Sequence, residues 1–219
     1  MTRRIVVLTA GLSQPSSTRL LADRLADAVT TQVSARGEAA SVEVIELREL
    51  AHDLATTMTT GGMPTPAVEE ARATVAGADA LIAVTPVFAA SYSGLFKMFV
   101  DVLDPEAIAG MPVLVAATAG TARHQLVLEH ALRPLFSYLR AAVVPTGVFA
   151  ATDDFGGPGS QDLGRRISRA AGELAAAVVS AGVAGFGPEA SGRETGRGGG
   201  RGSEAEVTDF EDLLAGLGQ

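Results

Sequence analysis

Cysteine is absent from all 219 residues, which excludes disulfides, thiolate metal sites, iron–sulfur ligation and redox thiol chemistry together. Tryptophan is absent too, and aromatic residues make up only 5% of the chain. A stacking platform for single-stranded nucleic acid needs exposed aromatics beside basic residues, so the composition argues against one. Basic residues are outnumbered, 17 Lys and Arg against 25 Asp and Glu, for a net charge of −8. Such a surface repels bare phosphate backbones and anionic membranes. It leaves a small phosphorylated ligand open, because a few backbone amides at a helix start can hold one phosphate. No run approaches the ~18–20 apolar residues that span a bilayer. The opening Met1-Thr2-Arg3-Arg4-Ile5 leads straight into a short apolar stretch without a signal-peptide pattern. The expectation is a cytoplasmic protein with neither nucleic acid nor membrane as partner. His52 and His130 have no companion at metal-ligand spacing, so no metal is expected.

What is present is an alternation of short β-branched runs with stretches of helical period. Ile5–Leu8, Val42–Ile45, Leu81–Thr85, Val113–Ala116 and Val143–Val148 read as strands. Between and after them, Leu21/Leu25/Ala28, Val68/Ala71/Val75, Gly94–Leu103, Leu128/Leu132/Leu135/Leu139 and Ile167/Ala171/Leu174/Val178 read as helices. Pro134 is expected to bend or restart the fourth of these, because its ring blocks the preceding turn. Continuous rather than alternating apolar runs indicate strands covered on both faces. Strand–helix alternation then predicts a doubly wound α/β protein, a parallel five-stranded sheet in the flavodoxin-like order 2-1-3-4-5 with helices on both faces. One domain is expected over residues 1–184. Residues 185–203, rich in Gly and Arg without periodicity, read as a flexible linker. Residues 204–219 regain an amphipathic stripe, Val207, Phe210, Leu214 and Leu217. That stripe reads either as a frayed tail or as a short helix docking on a partner or sister subunit.

In an open α/β sheet, ligands bind beyond the carboxyl ends of the strands. Three loops therefore carry the chemistry. Gly11-Leu12-Ser13-Gln14-Pro15-Ser16-Ser17-Thr18 places four hydroxyls ahead of a helix, an arrangement suited to an anion. Plain N-capping is the competing reading, although one hydroxyl suffices for a cap. Neither the P-loop pattern with its Lys nor the G-x-G-x-x-G spacing occurs there. Thr85-Pro86-Val87-Phe88-Ala89-Ala90-Ser91-Tyr92 combines proline, two aromatics and small residues, a surface that can lie along a planar ring. Thr118-Ala119-Gly120-Thr121-Ala122-Arg123-His124 again leaves a strand with small and hydroxyl residues.

Across these loops the chain resembles the NADPH-dependent FMN reductase family, in particular the branch supplying reduced flavin to two-component, luciferase-like monooxygenases. The resemblance rests on the Ser/Thr-rich loop Gly11–Thr18, the Thr85-Pro86-Val87-Phe88 turn, and the helix start Gly94-Leu95-Phe96-Lys97 followed by Asp101. It implies that Ser13, Ser16, Ser17 and Thr18 hold the FMN phosphate. Pro86, Val87, Phe88 and Tyr92 would border the isoalloxazine, and Thr118, Ala119 and Gly120 its other edge. Arg123 and His124 stand where NAD(P)H has to approach, with a solvated helix start as the plainer reading. Lys97 and Asp101 read as a surface or subunit-contact ion pair. The chain departs from the family in having Val87-Phe88-Ala89 where many members carry Glu-Tyr-Asn. It also has Gln14 or Pro15 where many carry Arg, with Arg19 as a nearby substitute. The resemblance implies hydride transfer from NAD(P)H to FMN without a dedicated catalytic acid or base, reduced FMN passing to a partner monooxygenase, and a homo-dimer or higher homo-oligomer. A tight-FMN NAD(P)H:quinone or azo-type reductase stays open as an alternative, as does a non-catalytic FMN-binding redox module.

Overall fold

The five apolar runs become the strands of one sheet because each offers a hydrophobic side chain to both faces. The computed structural model describes residues 1–156 and 159–180. In chain order the first elements are β1 (Thr2–Thr9), α1 (Ser17–Ser34) and β2 (Ala39–Glu46), then α2 (Ala51–Thr59), α3 (Pro66–Ala76) and β3 (Ala80–Phe88). A short β4 (Ser91–Tyr92) follows, then α4 (Gly94–Asp101), β5 (Pro112–Ala119), α5 (Arg133–Tyr138), β6 (Ala142–Val143), β7 (Val148–Ala151) and α6 (Ser160–Ser180). The sheet runs β2-β1-β3-β5-β6, all parallel, with β7 also pairing β5 and β4 folded back antiparallel on β3. If β6 and β7 are taken as one interrupted strand, the order is the expected 2-1-3-4-5. The interruption falls at Val144–Gly147, where Pro145 has no N–H to donate to the ladder.

Successive strand residues divide cleanly between two cores. Ile5, Val7, Ile82, Val84, Leu114 and Ala116 pack beneath α1 and α6. Val6, Leu8, Leu81, Ala83, Val113 and Val115 pack beneath α3, α4 and α5 on the opposite face. This two-sided burial is why the strands read as unbroken apolar runs. The helix between the second and third strands is in fact two, α2 and α3, separated by a turn with positive φ at Gly61 and Gly62. Pro134 acts as expected: a π-helical turn over Leu128–Leu132 gives way to α5, which carries the proline in its first turn. The linker and amphipathic tail expected over 185–203 and 204–219 lie outside the described residues. No helix among the described residues is long and apolar enough to cross a membrane.

Candidate functional site

Parallel pairing brings the ends of β1, β3 and β5 to one edge. Thr9 is level with Val84, Val84 with Ala116, and Pro86 with Thr118. The three loops that leave these strands therefore converge. They enclose a cleft of about 360 Å³ lined from the first loop by Ser13, Ser16, Ser17 and Thr18, from the second by Pro86, Val87 and Phe88, and from the third by Thr118, Ala119 and Gly120. Leu12 and Thr152 complete the wall. Thr152 opens the helical turn after β7, a fourth strand end beyond the three loops that the sequence singles out. Its position after the last strand is the signal that would have found it.

The hydroxyls of the first loop differ in their engagement. Ser16 is the N-cap of α1, its Oγ accepting from the Arg19 N–H at 3.2 Å. A Cβ on Gly11 would collide with that Oγ and come within 3.2 Å of the Cβ atoms of Ser16 and Thr18. Glycine at position 11 is thus what lets the loop fold tightly over the helix end. Thr18 is buried and shares a 2.7 Å hydrogen bond with the Thr118 hydroxyl, which ties the first loop to the third. The Ser13 and Ser17 hydroxyls have no hydrogen-bond partner among the described residues. The first-turn amides of α1 have no intrahelical acceptor and add a positive dipole end.

Arg19 does not enter the cleft. It donates to Asp23 at 2.7 Å and pairs with Glu46, and Asp23 foremost raises its guanidinium above the ordinary value. Arg48 joins Glu46 from the other side at 2.7 Å. Oriented with its oxygen toward Arg48, the Gln14 amide accepts from that guanidinium. The loop is thus braced from behind by two arginines whose charge is met by carboxylates.

The second loop is a hairpin. Val87 pairs Tyr92 and Phe88 pairs Ser91, so the turn is Ala89-Ala90, both at positive φ, 47° and 66°. Thr85 Oγ1 accepts from the Ser93 N–H at 3.0 Å, and Ser93 in turn caps α4 through the Phe96 N–H at 3.1 Å. Tyr92 is not in the cleft lining: its ring lies 6.1 Å from Phe96, on the α4 side of the hairpin. Like its cross-strand partner Val87, Tyr92 packs against the core beneath α4 and α5. Lys97 and Asp101 form a part-exposed ion pair at 2.6 Å, and Asp101 raises the Lys97 ammonium. Arg123 and His124 lie in a short helical turn, Ala122–His124, and line a separate cleft rather than this one.

Among the described residues, the lining contains no ionisable side chain. It offers a helix N-terminus with free hydroxyls at one end, an apolar wall at Pro86-Val87-Phe88, and open space above Gly120. That donor set fits a phosphate joined to a flat ring: hydroxyls and amides at the anionic end, small and apolar groups along the plane. Among the described residues no group of His, Asp or Glu is placed to hold a metal ion.

A parallel sheet with a phosphate-type cleft at its carboxyl edge defines a flavodoxin-like α/β protein. The model of the NADPH-dependent FMN reductase family matches residues 3–156, and the chain belongs to that family. It is 39% identical over 147 residues to the NADH-dependent FMN reductase SfnE of Pseudomonas putida, covering 67% of this chain and 76% of that protein. It is 37% identical over 154 residues to an FMN reductase (NADPH) of Pseudomonas aeruginosa, covering 69% and 78%. A crystal structure of an oxidoreductase from Corynebacterium diphtheriae superposes with a TM-score of 0.79 at 59% identity, over 82% of this chain and 98% of that one. The protein is accordingly an oxidoreductase that works with FMN and NAD(P)H.

Proposed function

We propose that the chain binds FMN as an exchangeable substrate, reduces it with NAD(P)H and releases it reduced to a partner monooxygenase. The observation that carries this reading is the lining itself: three strand-end loops meet in one cleft to which the described residues bring no ionisable side chain. FMN, when bound, supplies the hydride-accepting ring, and the protein's contribution is binding, orientation and exclusion of competing reactions. Ser13, Ser16 and Ser17, with the first-turn amides of α1, would hold the phosphate, while Thr18 fixes the loop through Thr118. Pro86, Val87 and Phe88 would lie along one edge of the ring and Thr118, Ala119 and Gly120 along the other. Tyr92 would support the hairpin from behind.

Two features favour loose retention. Among the described residues no guanidinium or ammonium reaches the lining, so these would hold the phosphate by neutral donors and the helix dipole. Val87 and Phe88 offer no side-chain hydrogen bond to the ring. Each neutral bond forgone is worth about 0.5–1.5 kcal/mol, and a few such losses weaken binding by roughly one or two orders of magnitude. Dialysed protein should therefore be largely colourless, and its NAD(P)H oxidation should saturate as FMN is added, with FMN strongly preferred to riboflavin. Stoichiometrically yellow protein that turns over quinones without added flavin would overturn the proposal in favour of a tight-FMN quinone reductase. Flavin binding with no NAD(P)H oxidation under any acceptor would leave a binding module.

A further inference from the structure

The loop that carries the phosphate hydroxyls is unevenly held. From Ser16 onward it is fixed, because Ser16 caps α1 and Thr18 is bonded to Thr118. Leu12, Ser13, Gln14 and Pro15 are all exposed, and among the described residues none of their backbone groups makes a hydrogen bond. Ser13 nevertheless lines the flavin cleft. With no ladder or helix around it, this stretch depends on side chains for its position. The tether comes from the neighbouring strand. Parallel pairing sets Glu46, the last residue of β2, level with Thr9, the last of β1. The helical turn that follows, Leu47–Leu50, is pinned by the fully buried Leu47 and carries Arg48. A cleft of about 280 Å³ behind the loop is lined by Ser13, Gln14 and Ser16 together with Arg19, Glu46 and Arg48. Ser13 and Ser16 line the flavin cleft as well, so the loop is the partition between the two.

Arg48 Nε donates to Glu46 Oε2 at 2.7 Å, which orients the guanidinium. Its two terminal nitrogens then meet the Gln14 amide oxygen, Nη1 at 2.7 Å. A guanidinium only donates, so the oxygen is the end of the amide that faces it. Among the described residues this is the one hydrogen-bonded anchor of Leu12, Ser13, Gln14 and Pro15. We propose that Arg48 is a positioning residue for the flavin phosphate: oriented by Glu46, it grips Gln14 and so keeps the adjoining Ser13 hydroxyl at the phosphate end of the cleft. The proposal rests on the reading that this cleft binds FMN through its phosphate. Arg48 does not line the flavin cleft, so it acts on the loop and not on the ligand. A donor on an untethered loop loses the geometry its hydrogen bond requires. That loss falls on the phosphate alone. Riboflavin has the same ring without the phosphate and does not feel it.

The test compares the full chain with Arg48→Ala, Arg48→Lys, Gln14→Ala and the double variant Arg48→Ala/Gln14→Ala. Binding of FMN and of riboflavin is followed by flavin fluorescence, beside steady-state NAD(P)H oxidation with FMN as the varied acceptor. Arg48→Ala is expected to raise Kd and KM for FMN about tenfold, the effect of one hydrogen bond to a charged group. Both kcat at saturating FMN and Kd for riboflavin should stay within about twofold of the parent. Arg48→Lys should recover part of the loss, because an ammonium still donates to the amide oxygen. Gln14→Ala should match Arg48→Ala, and the double variant should bind FMN no more weakly than either single, since all three lack the same bond. Gln14 is exposed, so Gln14→Ala carries the test if Arg48→Ala does not fold. Equal loss of FMN and riboflavin binding would show a merely structural role and overturn the proposal. Unchanged FMN binding overturns it too, as do additive losses in the double variant. A parent protein that binds FMN no better than riboflavin removes the phosphate reading itself, and the role of Arg48 with it.

Discussion

Replacing Ala90 with glycine is expected to stabilise the protein while loosening its hold on flavin. The hairpin that walls the flavin cleft turns through Ala89 and Ala90 at φ 47° and 66°. In that region a Cβ crowds the following carbonyl at a cost of about 1–2 kcal/mol per residue. Glycine escapes that cost but loses about 0.5–1 kcal/mol more backbone entropy on folding. The difference leaves roughly 0.5–1 kcal/mol of stabilisation per position. Both alanines are exposed, so no packing is forfeited. A two-residue hairpin turn with positive φ at both centres favours Asn-Gly, and Ala89→Asn/Ala90→Gly should gain about 1–2 kcal/mol together. At roughly 2–4 °C per kcal/mol for a domain of this size, the paired variant should melt several degrees higher. Because the turn positions Val87 and Phe88, a softer Ala90→Gly hairpin should also raise KM for FMN. Thermal and urea unfolding of dialysed protein, followed by circular dichroism, reads the first effect; saturation of NAD(P)H oxidation with FMN reads the second. A lower midpoint for Ala90→Gly at unchanged m-value would refute the reasoning, since the left-handed backbone would then carry no strain for glycine to relieve.

Thr18→Val should cost about 1–3 kcal/mol, because it strands the buried Thr118 hydroxyl. The double variant Thr18→Val/Thr118→Val should cost less than the sum of the singles, and additive losses would show that the two loops are not coupled through this bond. Glu129 has its carboxyl held below its ordinary value of 4.5 by the hydrogen bond to Arg133. Its contribution to stability is therefore complete above pH 4.5 and disappears as pH falls through the lowered value. The urea midpoint of Glu129→Gln should accordingly fall less than that of the parent on acidification from neutral pH; an identical fall would show that this pair contributes no pH dependence.

Much of the site was legible before any coordinates. Ser13, Ser16, Ser17, Pro86, Val87, Phe88, Ala119 and Gly120 lie together in the cleft because parallel strands deliver their outgoing loops to one edge, a consequence of topology alone. The paired arginines were not legible in the same way. Arg19 looked available to a phosphate, yet Glu46, 27 positions away, takes it. Nor does the apolar period near residues 51–59 announce α2, whose nine residues bury only Leu54 and Thr57.

By itself the sequence determined the layered α/β class, the five strand positions and the edge where a ligand must bind. Side chains buried on both faces force unbroken apolar runs, and helical segments between them force parallel strands. Only the tertiary structure decided which groups face the ligand. Thr18 meets Thr118 across 100 positions of chain, and Tyr92 turns toward Phe96 rather than into the cleft. Ala89 and Ala90 take a backbone conformation that neither residue favours, and Arg123 lines a separate cleft rather than the flavin cleft. Periodicity reports which face of an element is buried. Which partner a polar side chain finds depends on contacts between segments far apart in the chain, and these exist only once the sheet has closed its register.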